Sequence, residues 1–328
     1  MQYRILGKTG FNVSAISLGT WQVGGKWGSA FDAKNAETIL NTAVDNGVNF
    51  IDTADVYSDG DSEKAIGRFL KTRKGNLYVA TKCGRQIQPH VNENYQPAVL
   101  RKYVEDSLQR LQVDTIDLIQ LHCPPTQVFY RPEIFGLFDD LKKEGKIQHL
   151  GVSVEKVEEA LKAIEFDNVT TVQIIFNMFR QRPAELFFAE AKRKNVGVIV
   201  RVPLASGLLT GNYSQQTVFE SGDHRQFNRN GEAFDKGETF SGIDFATGLK
   251  AVEELKQIVS GGKTLSALAL KWILDFDAVS TVIPGASKPE QVTRNLEALN
   301  EQTLNSEQLR QVQVVYEKYI KPSVHHLW

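Results

Sequence analysis

The sequence predicts an α/β fold, a (β/α)8 TIM barrel with an N-terminal β-hairpin and extra C-terminal helices. Short apolar runs alternate with amphipathic stretches, each pair filling roughly 30 to 40 residues, as in a parallel sheet wrapped by helices. Runs such as Ile116-Asp117-Leu118-Ile119-Gln120-Leu121 and Gly197-Val198-Ile199-Val200 are nearly continuous in apolar residues. Strands buried on both faces require that. Asp52, Lys82 and His122 each follow directly on such a run, and Tyr57 lies just past the first of them. In a parallel barrel all strands point one way, so the four meet at one face. A carboxylate, a phenol, an ammonium and an imidazole together suit proton transfer onto a carbonyl oxygen.

In chain order, a hairpin is expected over 3–6 and 11–14, about the turn Gly7-Lys8-Thr9-Gly10. The first barrel strand is 16–19. A helix over 34–46 follows, apolar at Ile39, Leu40, Ala43 and Val44, and Gly47 ends it. Strands 48–51, 77–81, 116–121, 148–152, 171–175, 197–200 and 278–283 complete the barrel. Helices over 62–71, 98–111, 132–144, 155–164, 184–194, 245–259 and 265–274 lie between them, and 288–299 and 306–319 follow the last strand. Two stretches lack any period, 83–97 and 214–242. Loops of that length are usually functional, and both are expected at the catalytic face.

With 328 residues, 41% hydrophobic and 23% charged, the chain buries a sizeable core. No composition break divides it, so one barrel domain over 1–328 is expected. Lys plus Arg number 38 against 39 for Asp plus Glu, a net charge of −1. No overall field draws nucleic acid or an anionic membrane. No apolar stretch reaches the roughly 18 residues of a membrane span, and the first residues lack the apolar core of a signal peptide. A cytoplasmic protein is expected, acting on a small molecule without nucleic acid or membrane, as a monomer or weak homo-oligomer.

Cys83 and Cys123 have neither zinc spacing nor a disulfide partner pattern and read as two reduced thiols; each follows a candidate site residue, which would put both at the border of one pocket. Gly261-Gly262-Lys263-Thr264 resembles the end of a P-loop, but Gln257 stands where the motif needs glycine, and a helix-linking turn is expected. There is no G-x-G-x-x-G, G-x-S-x-G, H-E-x-x-H or CxxC. No metal site is expected.

Several ordered segments resemble the aldo-keto reductase family over essentially the whole chain. They are the stretch from Gly47 to Tyr57 (GVNFIDTADVY), Ser62-Glu63-Lys64-Ala65-Ile66-Gly67, Thr81-Lys82, and the strand ending at His122. Later come Gly145 to Ser153 (GKIQHLGVS), Gln173 to Asn177, Pro203 to Gly211 (PLASGLLTG) and Ile283-Pro284-Gly285-Ala286-Ser287. The resemblance implies the same barrel and reduction of aldehydes or ketones with NADPH, without metal. It implies Tyr57 as general acid, Lys82 and Asp52 as its tuning pair and His122 as the polarising group. A free phenol titrates near pH ~10, and an adjacent ammonium is expected to lower that value.

The resemblance also assigns the cofactor, NADP. Ser153, Gln173 and Asn177 match the carboxamide end, with Val154 where the family often has Asn. Gly19, Thr20, Trp21, Asp52, Pro203, Leu204 and Gly207 fall in the matching cofactor segments. Arg201 stands where a Tyr commonly lies under the nicotinamide. The adenosine end matches the loop-to-helix segment of Gly285, Ser287, Lys288, Gln291 and Asn295. Many relatives place Arg where Gln291 stands and Glu where Arg294 stands. A helix N-terminus there favours a phosphate, and Ser287 and Lys288 suit the 2′-phosphate of NADPH.

Trp21, Trp27, Phe129, Tyr130 and the 214–242 loop are expected to shape the substrate pocket, with the two tryptophans forming an apolar wall of it rather than a surface cap. The alternative reading is a redox sensor, since some relatives of this barrel regulate membrane channels with little turnover. The absence of an N-terminal coupling segment counts against it, and the intact set of four counts against a barrel without catalysis.

Overall fold

The computed structural model describes residues 1–25, 30–73, 75–259 and 263–328. Trp27, Gly28, Gly261 and Gly262 lie outside the described residues. A two-stranded antiparallel hairpin, β1 (Tyr3–Ile5) and β2 (Asn12–Ser14), precedes eight parallel strands. These are β3 (Leu18–Gly19), β4 (Phe50–Asp52), β5 (Tyr78–Cys83), β6 (Ile116–His122), β7 (Ile147–Ser153), β8 (Val169–Ile175), β9 (Gly197–Arg201) and β10 (Val279–Val282).

Neighbours in the sheet follow chain order, as βα repetition dictates. The expected first strand, 16–19, is used in two ways. Leu18 and Gly19 pair with β4, while parallel bridges Ile16–Val282 and Gly19–Gly285 close the sheet on itself. Every residue of β8 is buried, as the unbroken apolar runs require.

The hairpin plugs the bottom of the barrel. Leu6, Phe11 and Val13 join Phe50, Ala80, Leu118, Ile199 and Ile283 in one interior cluster. Phe11 stacks on Tyr78 at 4.2 Å. Gly7 has φ +50°, and a Cβ there would lie 2.1 Å from the Gly197 nitrogen, so only glycine lets the hairpin seat this closely. A larger cluster fills the layer between strands and helices.

Helices sit close to their expected places. Ala33–Asp45 is capped by Asp32, whose side chain accepts from the Asn35 N–H, and Gly47 takes φ +87° after it. The helix expected over 155–164 is shorter, Val157–Ala163, because the Glu159 carboxylate accepts from the N–H groups of Glu155 and Lys156. The last helix continues from Ser306–Val315 through a wide turn, Tyr316–Ile320, to Lys321–Val324.

Side chains alternate along a strand with period two. Phe50, Ala80, Leu118 and Ile199 face the barrel interior. Two residues further on stand Asp52, Lys82, Gln120 and Arg201, so the next interior layer is polar by sequence alone. The irregular stretches emerge over this layer and are tied together by Arg85 and Glu238 at 2.8 Å.

Candidate active site

Lys82 is the centre of that layer. It is fully buried, and its ammonium donates to Asp52 Oδ1 at 2.5 Å, to the Thr53 carbonyl at 2.7 Å and to Tyr57 Oη at 3.2 Å. Asp52 is satisfied on its other side as well. Its Oδ2 accepts from Gln173 Nε2 at 2.7 Å and Gln120 Nε2 at 3.1 Å. Gln120 was not singled out in the sequence, although it lies on the same strand as His122, two residues earlier.

Charge in this layer is fixed by partners. Burial works to lower the Lys82 pKa, but Asp52 and Tyr57 more than offset it, and the ammonium stays charged. The phenol departs from expectation. Burial raises the Tyr57 pKa more than Lys82 lowers it. Tyr57 is therefore held as the protonated phenol at neutral pH. His122 lies with its ring 6.0 Å from that of Tyr57, nearly perpendicular. Burial, reinforced by Arg85, Lys82 and Arg201, keeps its pKa well below the ordinary value, so the imidazole is neutral.

A cleft of about 260 Å³ opens above Tyr57. Gly19, Thr20, Trp21, Asp52, Gln173, Arg201, Pro203, Leu204, Gly207, Gly285 and Gln291 all line it. Ser153 does not; it is buried beside His122 in register, 3.5 Å from Cys123 Sγ. Asn177 is committed elsewhere, donating to the Val202 carbonyl at 2.9 Å and Ser241 Oγ at 2.8 Å. It thereby holds Val202 at φ +51°, a strained conformation for a β-branched residue on the cleft wall.

At the far end, the Gln291 side chain accepts from the N–H groups of Ser287 and Lys288, capping the helix Pro289–Leu296. Ser287, Lys288 and Asn295 do not line the cleft: Lys288 is exposed, and Asn295 packs on the inner face of the helix with its amide 3.5 Å from the Gly285 carbonyl.

The aromatic wall is only partly as expected. Trp21 lies 4.6 Å from His224 and 6.5 Å from Tyr57, ring to ring. Phe129 is core and Tyr130 is 64% exposed, and neither lines the cleft. Cys83 and Cys123 are buried off the cleft, and burial raises both thiol pKa values, so neither is a thiolate. Residues missed in the sequence come mainly from the long loop and the segment before it: Ser206, Thr210, Tyr213, His224, Arg225 and Glu238. The loop's length was the signal for His224, Arg225 and Glu238, and Ser206 and Thr210 lie in the 203–211 segment that resembles the family.

A family model described as the aldo/keto reductase family matches residues 15–317. The chain is 33% identical to the aldo-keto reductase YhdN of Bacillus subtilis, over 99% of this chain and 96% of that protein. It is 30% identical to an NADH-specific methylglyoxal reductase of Escherichia coli, over 90% and 92%. The solved glycerol dehydrogenase AKR11B4 from Gluconobacter oxydans superposes with a TM-score of 0.77 at 31% identity, covering 97% and 95% of the two chains.

Proposed function

The chain belongs to the aldo-keto reductase family, and from that membership we propose that it reduces a small aldehyde or ketone to the alcohol with NADPH. The observation that carries this reading is the Tyr57 hydroxyl at the cleft floor, hydrogen-bonded by a Lys82 ammonium that Asp52 anchors. Bound nicotinamide supplies the hydride in such a reaction.

The chain's own residues handle the proton. Tyr57 is protonated at neutral pH and gives its proton to the oxygen that gains negative charge. Lys82 then stabilises the phenolate left behind. His122, being neutral, offers an N–H to the same oxygen.

The cleft suits a nicotinamide dinucleotide. Gly285 lines it, and a Cβ there would meet no atom nearer than 3.8 Å, so bare backbone faces the space a side chain would fill. We assign Gln173, Arg201, Pro203 and Leu204 to the nicotinamide end, with Gly19, Thr20 and Trp21 opposite. Gly207 belongs to the pyrophosphate, and Gly285, Ser287, Lys288, Gln291 and Asn295 to the adenosine end.

Lys288 supports NADPH over NADH, because its exposed ammonium, three residues before the cleft-lining Gln291, suits a 2′-phosphate. Parallel assays of NADPH and NADH oxidation with an aromatic aldehyde test this. Turnover favouring NADPH is expected, and Lys288→Ala should raise KM for NADPH about tenfold while leaving NADH unchanged. Preference for NADH, undisturbed by that substitution, would overturn the assignment.

A further inference from the structure

One wall of the cleft holds more buried charge than proton delivery uses. Arg201 lines the cleft with Tyr57, and its guanidinium lies 2.9 Å from Glu155 and 3.5 Å from Glu238. Arg85 reaches the same Glu238 at 2.8 Å. An oxygen of Glu155, one of Glu238 and the Cys123 sulfur lie within 4.8 Å of one another. No N–H or O–H among the described residues donates a hydrogen bond to either Glu155 oxygen, and Arg201 approaches without hydrogen-bond alignment. Two adjacent carboxyls, one lacking donors, are built to share a proton, with Glu155 giving it to Glu238.

We propose that Glu155 sets the charge this wall presents to the nicotinamide, so that one proton on Glu155 decides how strongly the cleft prefers reduced over oxidised cofactor. The inference rests on the function proposed above. Hydride delivery to a carbonyl whose oxygen Tyr57 protonates requires the ring to lie in the cavity that Arg201 lines. The reduced ring is neutral and the oxidised ring is cationic. With Glu155 neutral, Arg85 and Arg201 face one carboxylate, Glu238, and the wall is positive by one charge. With Glu155 ionised the wall is neutral. In a buried site such a difference is weakly screened.

Other charged and titratable groups also face Glu155. Arg180, whose guanidinium stays charged, and Asp235 act on Glu155 with opposite sign. Burial raises the Cys123 thiol, and His122 is neutral. Burial also opposes ionisation of Glu238, yet Arg85 and Arg201 hold it down at about 2. Burial pushes Glu155 up to about 8, against Arg201 and with the help of Glu238 and Asp235. Glu155 is thus the member of the wall that changes charge in the working range. It acts through Arg201 and the field, as a positioning residue rather than a catalytic one.

Linkage makes the proposal measurable without turnover. If ionised Glu155 favours the cationic ring, binding of NADP⁺ must expel the Glu155 proton, and binding of NADPH must not. The 2′-phosphate and adenine are common to both nucleotides and cancel. Dissociation constants for both, from fluorescence titration, and proton release, from calorimetry in two buffers, should be followed from about pH 6.5 to about pH 9.

The wild-type ratio Kd(NADP⁺)/Kd(NADPH) should fall about tenfold across that range, with protons released on NADP⁺ binding alone. Glu155→Gln should keep the low-pH ratio throughout and release none. A wild-type protein that binds both nucleotides with no proton release would overturn the proposal, whether or not the variant folds. A Gln variant with the wild-type pH profile would overturn it equally. If neither nucleotide binds at any pH, the proposed function itself is overturned, an outcome distinct from both.

Discussion

Lys82 and Arg180 are both buried cations, 0% and 2% exposed, and their surroundings differ in kind. Lys82 spends its ammonium on Asp52, Thr53 and Tyr57. Arg180 offers three guanidinium nitrogens to no acceptor among the described residues and rests on the Trp328 ring at 4.0 Å. Burial lowers its pKa to about 10 despite the pull of Glu155. The Lys82–Asp52 pair in the cleft floor is thus a saturated network, whereas Arg180 in the wall is charge held by packing. Burial of a charge alone does not say whether removal will cost stability; the count of partners does.

Breaking the floor should show the largest effect. Lys82→Met leaves Asp52 buried without its counter-charge, and denaturant unfolding should register a loss of about 3–5 kcal/mol. Stability unchanged in that variant would mean that Gln120 and Gln173 suffice to hold the carboxylate.

A smaller effect, dependent on pH, is expected at Asp55, whose backbone N–H donates to the Lys82 carbonyl beside the floor. Burial, with Glu63 nearby and Arg110 opposing, pushes the Asp55 carboxyl up to about 7. Its folded pKa exceeds its unfolded value, so the stability it contributes is full below about pH 4 and is lost as pH rises towards 7. Asp55→Asn should therefore gain in Tm over wild type as pH climbs through that window, with no further gain above it. A Tm difference that is flat with pH would contradict the shift.

The smallest effect is expected at the wall. Arg180→Met exchanges an unpartnered guanidinium for an apolar chain on Trp328, and stability should stay within about 1 kcal/mol or rise. A loss as large as that of Lys82→Met would erase the contrast drawn here.

The floor was legible in the sequence and the wall was not, for a physical reason. Asp52, Lys82 and His122 end strands, and strand ends in a parallel barrel share a face whatever the loops do. Glu155, Arg180, Arg85 and Glu238 come from four different loops, and nothing in their spacing foretells that they converge. The same limit explains Phe129 and Tyr130, which looked like pocket residues and are core and surface. Asn177 matched a cofactor segment, and in the structure it braces Val202. For Tyr57 the sequence supplied the neighbour, Lys82, but not the burial that outweighs it.

The most direct test of the account compares wild type and Tyr57→Phe in two readings, NADPH affinity and aldehyde-dependent NADPH oxidation. The substitution removes one oxygen from the cleft floor, so the affinity should stay within about threefold while turnover falls by about a thousandfold or more. Turnover retained in the variant would contradict Tyr57 as the proton donor, and with it the chemistry assigned to this site.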